Sequence, residues 1–372
     1  MHTDPLASYL DTIAPLATTG AASSADFSMF AEQGVGGSGI GFQTADEIAG
    51  IAAKTTDKGY RRLVRHINTT SYSILEGLHS CPRAYALDKI KANVEVRAGI
   101  PEPLNKDFVY GHAVGAGAQG LLASGNNLTA GQFACFVSWA APFDAWQEDG
   151  KLRTSKNIIS AFQAVERFHV LLANDPELSA YEVLMVTVNG VTKPAIELAF
   201  CLDTGDGYQY YGHIDVIVRN KFTNRVAILE LKTTSLKTMQ PAMYANSNQA
   251  LGYALALDAI APGLSDYEVI YVSYSVGAET WNVMPFAKSR TLRAEWVQDL
   301  LLDHQRITTY RQLNHFPKNG SACTKFNRVC RWFGECDLVN KQATKNLPVL
   351  DLSERAEEVD YYFTLAEILG SI

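Results

Sequence analysis

Two apolar runs, residues 208–218 and 226–233, flank a polar stretch, Asn220-Lys221-Phe222-Thr223-Asn224-Arg225, and this layout constrains the fold more than any other feature of the chain. β-Branched and aromatic residues dominate both runs, and a short polar interval between two such runs is the signature of a β-hairpin. Pairing that is symmetric about the turn sets Asp215 opposite Glu230 and His213 opposite Lys232. Side chains alternate along a strand, so Glu230 and Lys232 share a face and Leu231 points away. Two carboxylates and an ammonium are thereby predicted to converge. Carboxylate oxygens are the hard ligands that Mg²⁺ or Mn²⁺ prefers, and a pair of them leaves coordination positions for water and a phosphate oxygen. That arrangement suits metal-assisted phosphodiester chemistry. Glu-x-Lys on a strand is also the pattern of an ordinary solvated ion pair, so the reading needs support from elsewhere in the chain.

Support comes from Gln249-Ala250-Leu251-Gly252-Tyr253, where Gln249 and Tyr253 fall on one face of a predicted helix. In this order Gly212-His213-Ile214-Asp215, Glu230-Leu231-Lys232 and Gln249…Tyr253 resemble the PD-(D/E)XK nuclease superfamily, particularly its RecB-like branch. The resemblance implies a restriction-endonuclease-like α/β fold, a mixed β-sheet flanked by helices. It also implies that Asp215 and Glu230 ligate Mg²⁺ or Mn²⁺ with the Leu231 carbonyl as a third ligand. Lys232 would orient or deprotonate the attacking water, Gln249 would bind the scissile strand, and Arg83, Tyr85 and Tyr253 would contact nucleic acid. Relatives carry an aromatic-Gly-x-x-x-His helix start whose His touches the metal. Here Tyr110-Gly111 is followed by Gly115 at that position, and His112, one turn back, is the candidate substitute.

Of six cysteines, Cys323, Cys330 and Cys336 cluster late, and Cys81 opens Cys81-Pro82-Arg83-Ala84-Tyr85 far upstream. No spacing here is that of a small disulfide scaffold. One Cys before the nuclease core and three after it is the layout of the RecB-like iron–sulfur nucleases, including AddB-type helicase-nucleases and the CRISPR-adaptation exonucleases. The resemblance implies a 4Fe–4S cluster on Cys81, Cys323, Cys330 and Cys336. Four thiolates equally make a tetrahedral Zn²⁺ site, and ligand chemistry does not separate the two. The first late gap is wider here than the C-x2-C-x5-C of many relatives. Cys135 and Cys201 sit in apolar contexts and read as small buried hydrophobes.

A net charge of −7 argues against a protein that coats nucleic acid through a broad basic surface. Local basic runs remain, with Arg61, Arg62, Arg65 and His66 before Cys81, and Lys318, Lys325, Arg328 and Arg331 among the late cysteines. Tyr85, Tyr110, Trp332 and Phe333 are candidate rings for stacking bases. No apolar run approaches a membrane span, the N-terminus lacks a signal-peptide layout, and a cytoplasmic protein with no membrane partner is expected. The glycine run at residues 33–39 has no Lys-Ser/Thr after it and is not a P-loop, so ATP-driven unwinding would need another chain, and a separate helicase or a single-strand annealing protein is the expected partner. Residues 1–65 read as a flexible arm, 66–340 as the nuclease domain, and 341–372 as a helical tail. Within the domain a helical insertion is expected over 108–175 and the iron–sulfur region over 317–340. The function implied is a metal-dependent exonuclease acting on DNA ends or single strands, in recombination, repair or phage DNA processing. The reading from another class is a non-catalytic nucleic-acid-binding or assembly protein that retains the fold. Intact Asp215, Glu230, Lys232 and Gln249 speak against it, and Gly115 and the acidic charge speak for it.

Overall fold

The structure is a computed structural model and describes residues 61–64, 68–88, 105–140, 155–313, 315–325, 328–334, 336 and 356–371. Expectations for other residues, the arm over 1–60 and the tail over 341–355 among them, fall outside that set. Strands β1 (Arg61–Val64) and β2 (Thr69–Thr70) lead into helix α1 (Tyr72–Ser80), whose first turn is capped by the Ser71 hydroxyl accepting from the Ile74 N–H. Three longer helices follow, α2 (Lys106–Ala123), α3 (Leu128–Ala140) and α4 (Ile158–Asn174), within the segment read as a helical insertion. Asn105 caps α2, and Asn157 with Ser160 forms a capping box on α4. Val165 and Phe168 of α4 are buried, and Leu172 packs against them from the margin.

Strands β3 (Tyr181–Val183), β4 (Met185–Val188), β5 (Val191–Pro194) and β6 (Ile196–Asp203) follow α4. Asn189 and Gly190, at φ of 51° and 81°, close a two-residue hairpin between β4 and β5. The predicted central hairpin is β7 (Gln209–Asn220) with β8 (Val226–Thr234). Then α5 (Ala242–Ala245) and α6 (Asn248–Ile260) carry the chain to β9 (Asp266–Ser275), which lies parallel to β8. A parallel neighbour requires such a crossover. β10 (Thr280–Ser289) turns back antiparallel on β9, and α7 (Arg290–Gln312) follows. Among the late cysteines β11 (Thr324–Lys325) pairs with β12 (Arg328–Val329), and β13 (Ala356–Val359), β14 (Tyr361–Thr364) and α8 (Leu365–Ser371) end the described chain.

The main sheet runs β10-β9-β8-β7-β6-β14, with β2 and β3 paired to opposite ends of β7. Helices cover both faces. On one, Leu75, Leu255, Trp296 and Leu300 of α1, α6 and α7 pack on Phe200, Tyr210, Ile228 and Tyr271. On the other, Tyr110, Val114, Leu121 and Phe168 of α2 and α4 pack on Val216, Leu229, Ile270 and Val272. A mixed sheet flanked by helices is therefore what the chain builds, as its pattern implied. Two terminal details differ from expectation. Arg61–Val64, at the end of the stretch read as a flexible arm, pairs antiparallel with Ala356–Val359. The stretch read as a helical tail contributes two strands before α8, and β14 joins β6 in parallel because Phe363 stacks on Phe200, centroids 6.0 Å apart, and covers an otherwise open edge.

Candidate active site

The hairpin ladder pairs Arg219 with Val226, Val218 with Ala227, Ile217 with Ile228 and Val216 with Leu229. Continued by one residue, this register sets Asp215 opposite Glu230. Beyond that point the two strands part. β7 stays with β6, His213 pairing with Ala199, while β8 stays with β9, Lys232 pairing with Ser273. The expected pairing of His213 with Lys232 is thus replaced by an opening in the sheet. The Leu231 N–H, left without a strand partner on that side, donates to Asp215 Oδ2 at 2.8 Å.

β7 also changes phase at this place. Ile214 and Ile217 both enter the core beneath α1, α6 and α7, while Val216 and Val218 enter the opposite core. On β6, Ile196 and Leu198 likewise face opposite cores across Glu197, whose φ is +49°. A non-glycine residue in that region costs on the order of 1–3 kcal/mol and persists only where its surroundings hold it. Here Gln119 of α2 donates Nε2 to Glu197 Oε1 at 2.5 Å. Gln119 and Glu197 were not read from the sequence, and the one signal for them is a carboxylate interrupting the apolar run from Ile196 to Phe200. Gly212 is required by close approach, since a Cβ there would lie 2.8 Å from the Phe200 ring and 3.1 Å from Tyr253.

Glu230 has a side chain only 1% exposed, with Lys232 Nζ 2.6 Å from Oε1. Lys232 is the one ammonium beside the two carboxylates, and among the described residues the buried Glu230 oxygens have no donor other than it. Burial, then repulsion from Asp215, pushes the Glu230 carboxyl up to about 8, with Lys232 acting in the opposite direction. Burial also raises Asp215, opposed by Lys232, the Leu231 N–H, His213 and His112. For Lys232 burial disfavours the ammonium, yet Glu230 and Asp215 more than offset it and hold its pKa above the ordinary value.

Around this centre the other expected residues divide. Gln249, at the start of α6, donates Nε2 to the Tyr253 hydroxyl at 2.9 Å. Tyr253 is buried in the core with its ring edge against Phe200, so it supports the site from beneath and has no free face for a base. α2 crosses close over β8, where a Cβ on Gly111 would stand 3.1 Å from Thr233 Oγ1, and this brings the His112 charge within reach of Asp215. A Cβ on Gly115 would meet nothing within 4 Å. Arg83 donates Nε to the Phe316 carbonyl at 2.8 Å and Tyr85 packs on the Phe316 ring, so both lie in a joint with the segment before the late cysteines rather than beside the carboxylates. Of the candidate stacking rings, Tyr110 is fully buried, Trp332 donates Nε1 to Asp88 at 2.5 Å, and Phe333 is exposed.

The same joint brings the flanks of the distant cysteines together. Asn319 Nδ2 donates to the Ser80 carbonyl at 2.8 Å, the Arg83 N–H to the Pro317 carbonyl at 3.1 Å, and Arg331 pairs with Asp88. The Cys330 N–H donates to the Cys323 carbonyl at 2.8 Å. Cys81, Cys323, Cys330 and Cys336 are half-buried free thiols. Among the described residues, no set of three or more His, Cys, Asp or Glu side chains converges as a metal site. Asp215, Glu230 and His112 therefore do not form a three-ligand group, nor do the thiols. Two carboxylates are nonetheless sufficient for Mg²⁺, which keeps several waters and takes substrate phosphate oxygens. Such a cation fits here, because one ammonium faces two carboxylates and leaves negative charge over.

A family model described as the PD-(D/E)XK nuclease superfamily matches residues 69–337, a span that contains every residue of this site. No curated protein matches the chain. A solved structure titled "Crystal structure of SSO0001" is similar at 16% identity, over 66% of this chain and 79% of that one, with a TM-score of 0.25.

Proposed function

The chain belongs to the PD-(D/E)XK nuclease superfamily, and from that premise we propose that it is a Mg²⁺- or Mn²⁺-dependent deoxyribonuclease acting exonucleolytically on DNA ends or single strands. Its mixed sheet is of the restriction-endonuclease-like kind. The observation that carries the reading is the opening between β7 and β8, where Asp215 and the buried Glu230 stand beside Lys232, 35% exposed. Asp215 and Glu230, with the Leu231 carbonyl, would hold the cation. When bound, it supplies charge stabilisation at the phosphate and a more acidic water. Lys232 is kept protonated by its two carboxylate neighbours, so it would hold the attacking water as a hydrogen-bond donor. Gln249, fixed by Tyr253, orients the scissile strand from the start of α6.

The four thiols of Cys81, Cys323, Cys330 and Cys336 are assigned to a 4Fe–4S cluster, with Zn²⁺ as the alternative. The hydrogen bonds that join Ser80 to Asn319 and Asp88 to Arg331 favour this, since they bring the bracketing segments within one joint. No described helix is long and apolar enough to cross a membrane. The role assigned to it is recombination, repair or phage DNA processing in the cytoplasm, with a helicase or annealing protein as a separate chain.

The deciding experiment incubates purified protein with 5′- and 3′-labelled single- and double-stranded oligonucleotides and with a relaxed closed circle, with and without Mg²⁺ or Mn²⁺. Divalent-dependent shortening from ends with a surviving circle is expected. Rapid cutting of the circle would make the enzyme an endonuclease, and no hydrolysis under any condition would favour the assembly-protein reading. Anaerobic protein should carry iron and sulfide near four each per chain, roughly the content of one cubane, whereas zinc without iron would reject the cluster.

A further inference from the structure

Among the described residues, five other than glycine hold a positive φ, and four of them, Asn126, Asn189, Asn224 and Glu279, lie between elements. The fifth, Glu197, stands inside β6. Its neighbours Ile196 and Leu198 pair with Val216 and Ile214, which leaves one residue between the pairs on each strand, Glu197 on β6 and Asp215 on β7. The register therefore does not slip. Ile196 and Val216 face the core under α2 and α4, whereas Leu198 and Ile214 face the core under α1, α6 and α7. Both strands turn over at the same rung.

That rung decides where Asp215 points. Alternation counted from Ile214 would place Asp215 on the α2–α4 face. Glu230 lies between Leu229 and Leu231, which pack on that face, and so projects from the opposite one. With the reversal, Asp215 instead turns into the gap between β7 and β8, where its Oδ2 accepts from the Leu231 N–H at 2.8 Å. Left-handed backbone within a ladder re-aims side chains in this way, and a residue with a Cβ adopts it only where its surroundings hold it. Gln119 of α2 does so through its hydrogen bond to Glu197 Oε1. The same helix is seated on β8 by the close approach of Gly111 to Thr233, so α2 braces the two strands on either side of β7.

We propose that Gln119 and Glu197 are positioning residues for the nuclease centre: their hydrogen bond holds the strained rung, and the rung aims the Asp215 carboxylate at the metal. The inference rests on the nuclease reading and extends it to two residues that act through Asp215. Both are half-buried, so substitutions at either position disturb the cores little.

The test measures Mn²⁺ binding to the full-length protein from the loss of the free-ion EPR signal, beside cleavage of a labelled oligonucleotide. Gln119→Met and Glu197→Ala should each weaken Mn²⁺ binding by on the order of tenfold, the cost of removing a partner that orients a ligand. Glu197→Gln keeps the acceptor oxygen, and Glu197→Gly takes a positive φ without a clamp, so both should bind Mn²⁺ more tightly than Glu197→Ala. A role of the Glu197 charge alone would leave the Gln and Gly variants as weak as the Ala variant. If Glu197→Ala fails to fold, Gln119→Met decides, being alike in volume and helix propensity to the parent. Parental Mn²⁺ binding in Gln119→Met, or Gln and Gly variants no tighter than Glu197→Ala, overturns the positioning role while the nuclease reading stands. A parent that neither binds Mn²⁺ nor cleaves sinks the nuclease reading, and this proposal with it.

Discussion

Arg293 of α7 and Asp258 of α6 are about as deeply buried as Glu230 of β8, with side chains 1%, 7% and 1% exposed, but their surroundings treat the charge differently. Arg293 Nε and Nη2 grip the two Asp258 oxygens at 2.8 and 2.9 Å. Its Nη1 donates to the Lys288 and Ser265 carbonyls at 2.6 and 3.1 Å, and the Tyr267 ring lies beneath the guanidinium at 4.7 Å. Glu230 has Lys232 Nζ 2.6 Å from one oxygen and, among the described residues, no second donor. A buried charge is tolerated when its partner and its hydrogen bonds are complete. The α6–α7 pair is complete within the chain and ties two helices together. The β7–β8 cluster sets two carboxylates against one ammonium and leaves negative charge over, as a cation-binding site requires.

The largest expected effect separates the two clusters by activity. Lys232→Ala should lower divalent-dependent hydrolysis by about 10³-fold, the range for removing one positioned proton-handling group. Full activity in that variant would remove the contrast. Next in size, Arg293→Met should destabilise the fold by about 3–5 kcal/mol, because Asp258 is left buried and unpaired. Adding Asp258→Leu should recover most of the loss in urea unfolding. A single variant as stable as the parent would show the pair to be idle.

Glu230→Gln sharpens the comparison in the other direction. The folded Glu230 carboxyl titrates at about 8, above its unfolded value, so its contribution is fully present below the unfolded pKa and is lost as pH rises towards 8. Without metal, the Gln variant should therefore exceed the parent in stability at pH 8 by about 1–3 kcal/mol, the scale of an uncompensated buried group, and match it near pH 4. Mg²⁺ should raise the unfolding midpoint of the parent and not of the variant. A variant less stable than the metal-free parent at pH 8 would mean that Glu230 is already satisfied.

The smallest effect concerns a buried imidazole that the protein completes in the neutral form. His304 is bonded to Thr70 at 3.1 Å and to Asp206 at 2.9 Å and stacks on Tyr208, and burial holds its pKa below the ordinary value despite Asp206. The unfolded chain takes up that proton first, so stability falls as pH drops below the ordinary histidine range. His79 acts with the opposite sign, since its hydrogen bond to Asp303 raises its pKa against the effect of burial. Unfolding midpoints of His304→Gln should fall less steeply than those of the parent between neutral and mildly acidic pH, and an unchanged slope would remove His304 from the account.

Much of the site was legible because its signals are local. Alternation along 208–218 and 226–233 with a polar turn between them determines which residues of β7 and β8 face each other, so the approach of Asp215 to Glu230 and the shared face of Glu230 and Lys232 follow from the sequence alone. Gln249 and Tyr253 follow in the same way from helical spacing. The separation of β7 from β8 just past Val216 was not legible. It depends on β6 and β9 each holding one strand, and these partners are chosen by long-range packing. Nor was the left-handed Glu197 held by Gln119, or the burial of Tyr253 and Tyr110, because an aromatic residue reads the same whether it lines a groove or fills a core. The chain's pattern determined a hairpin carrying two carboxylates and a lysine. Only the tertiary structure decided that the sheet would open at Asp215 and bury Glu230 with Lys232 alone beside it, since that depends on which groups distant segments bring and which they withhold.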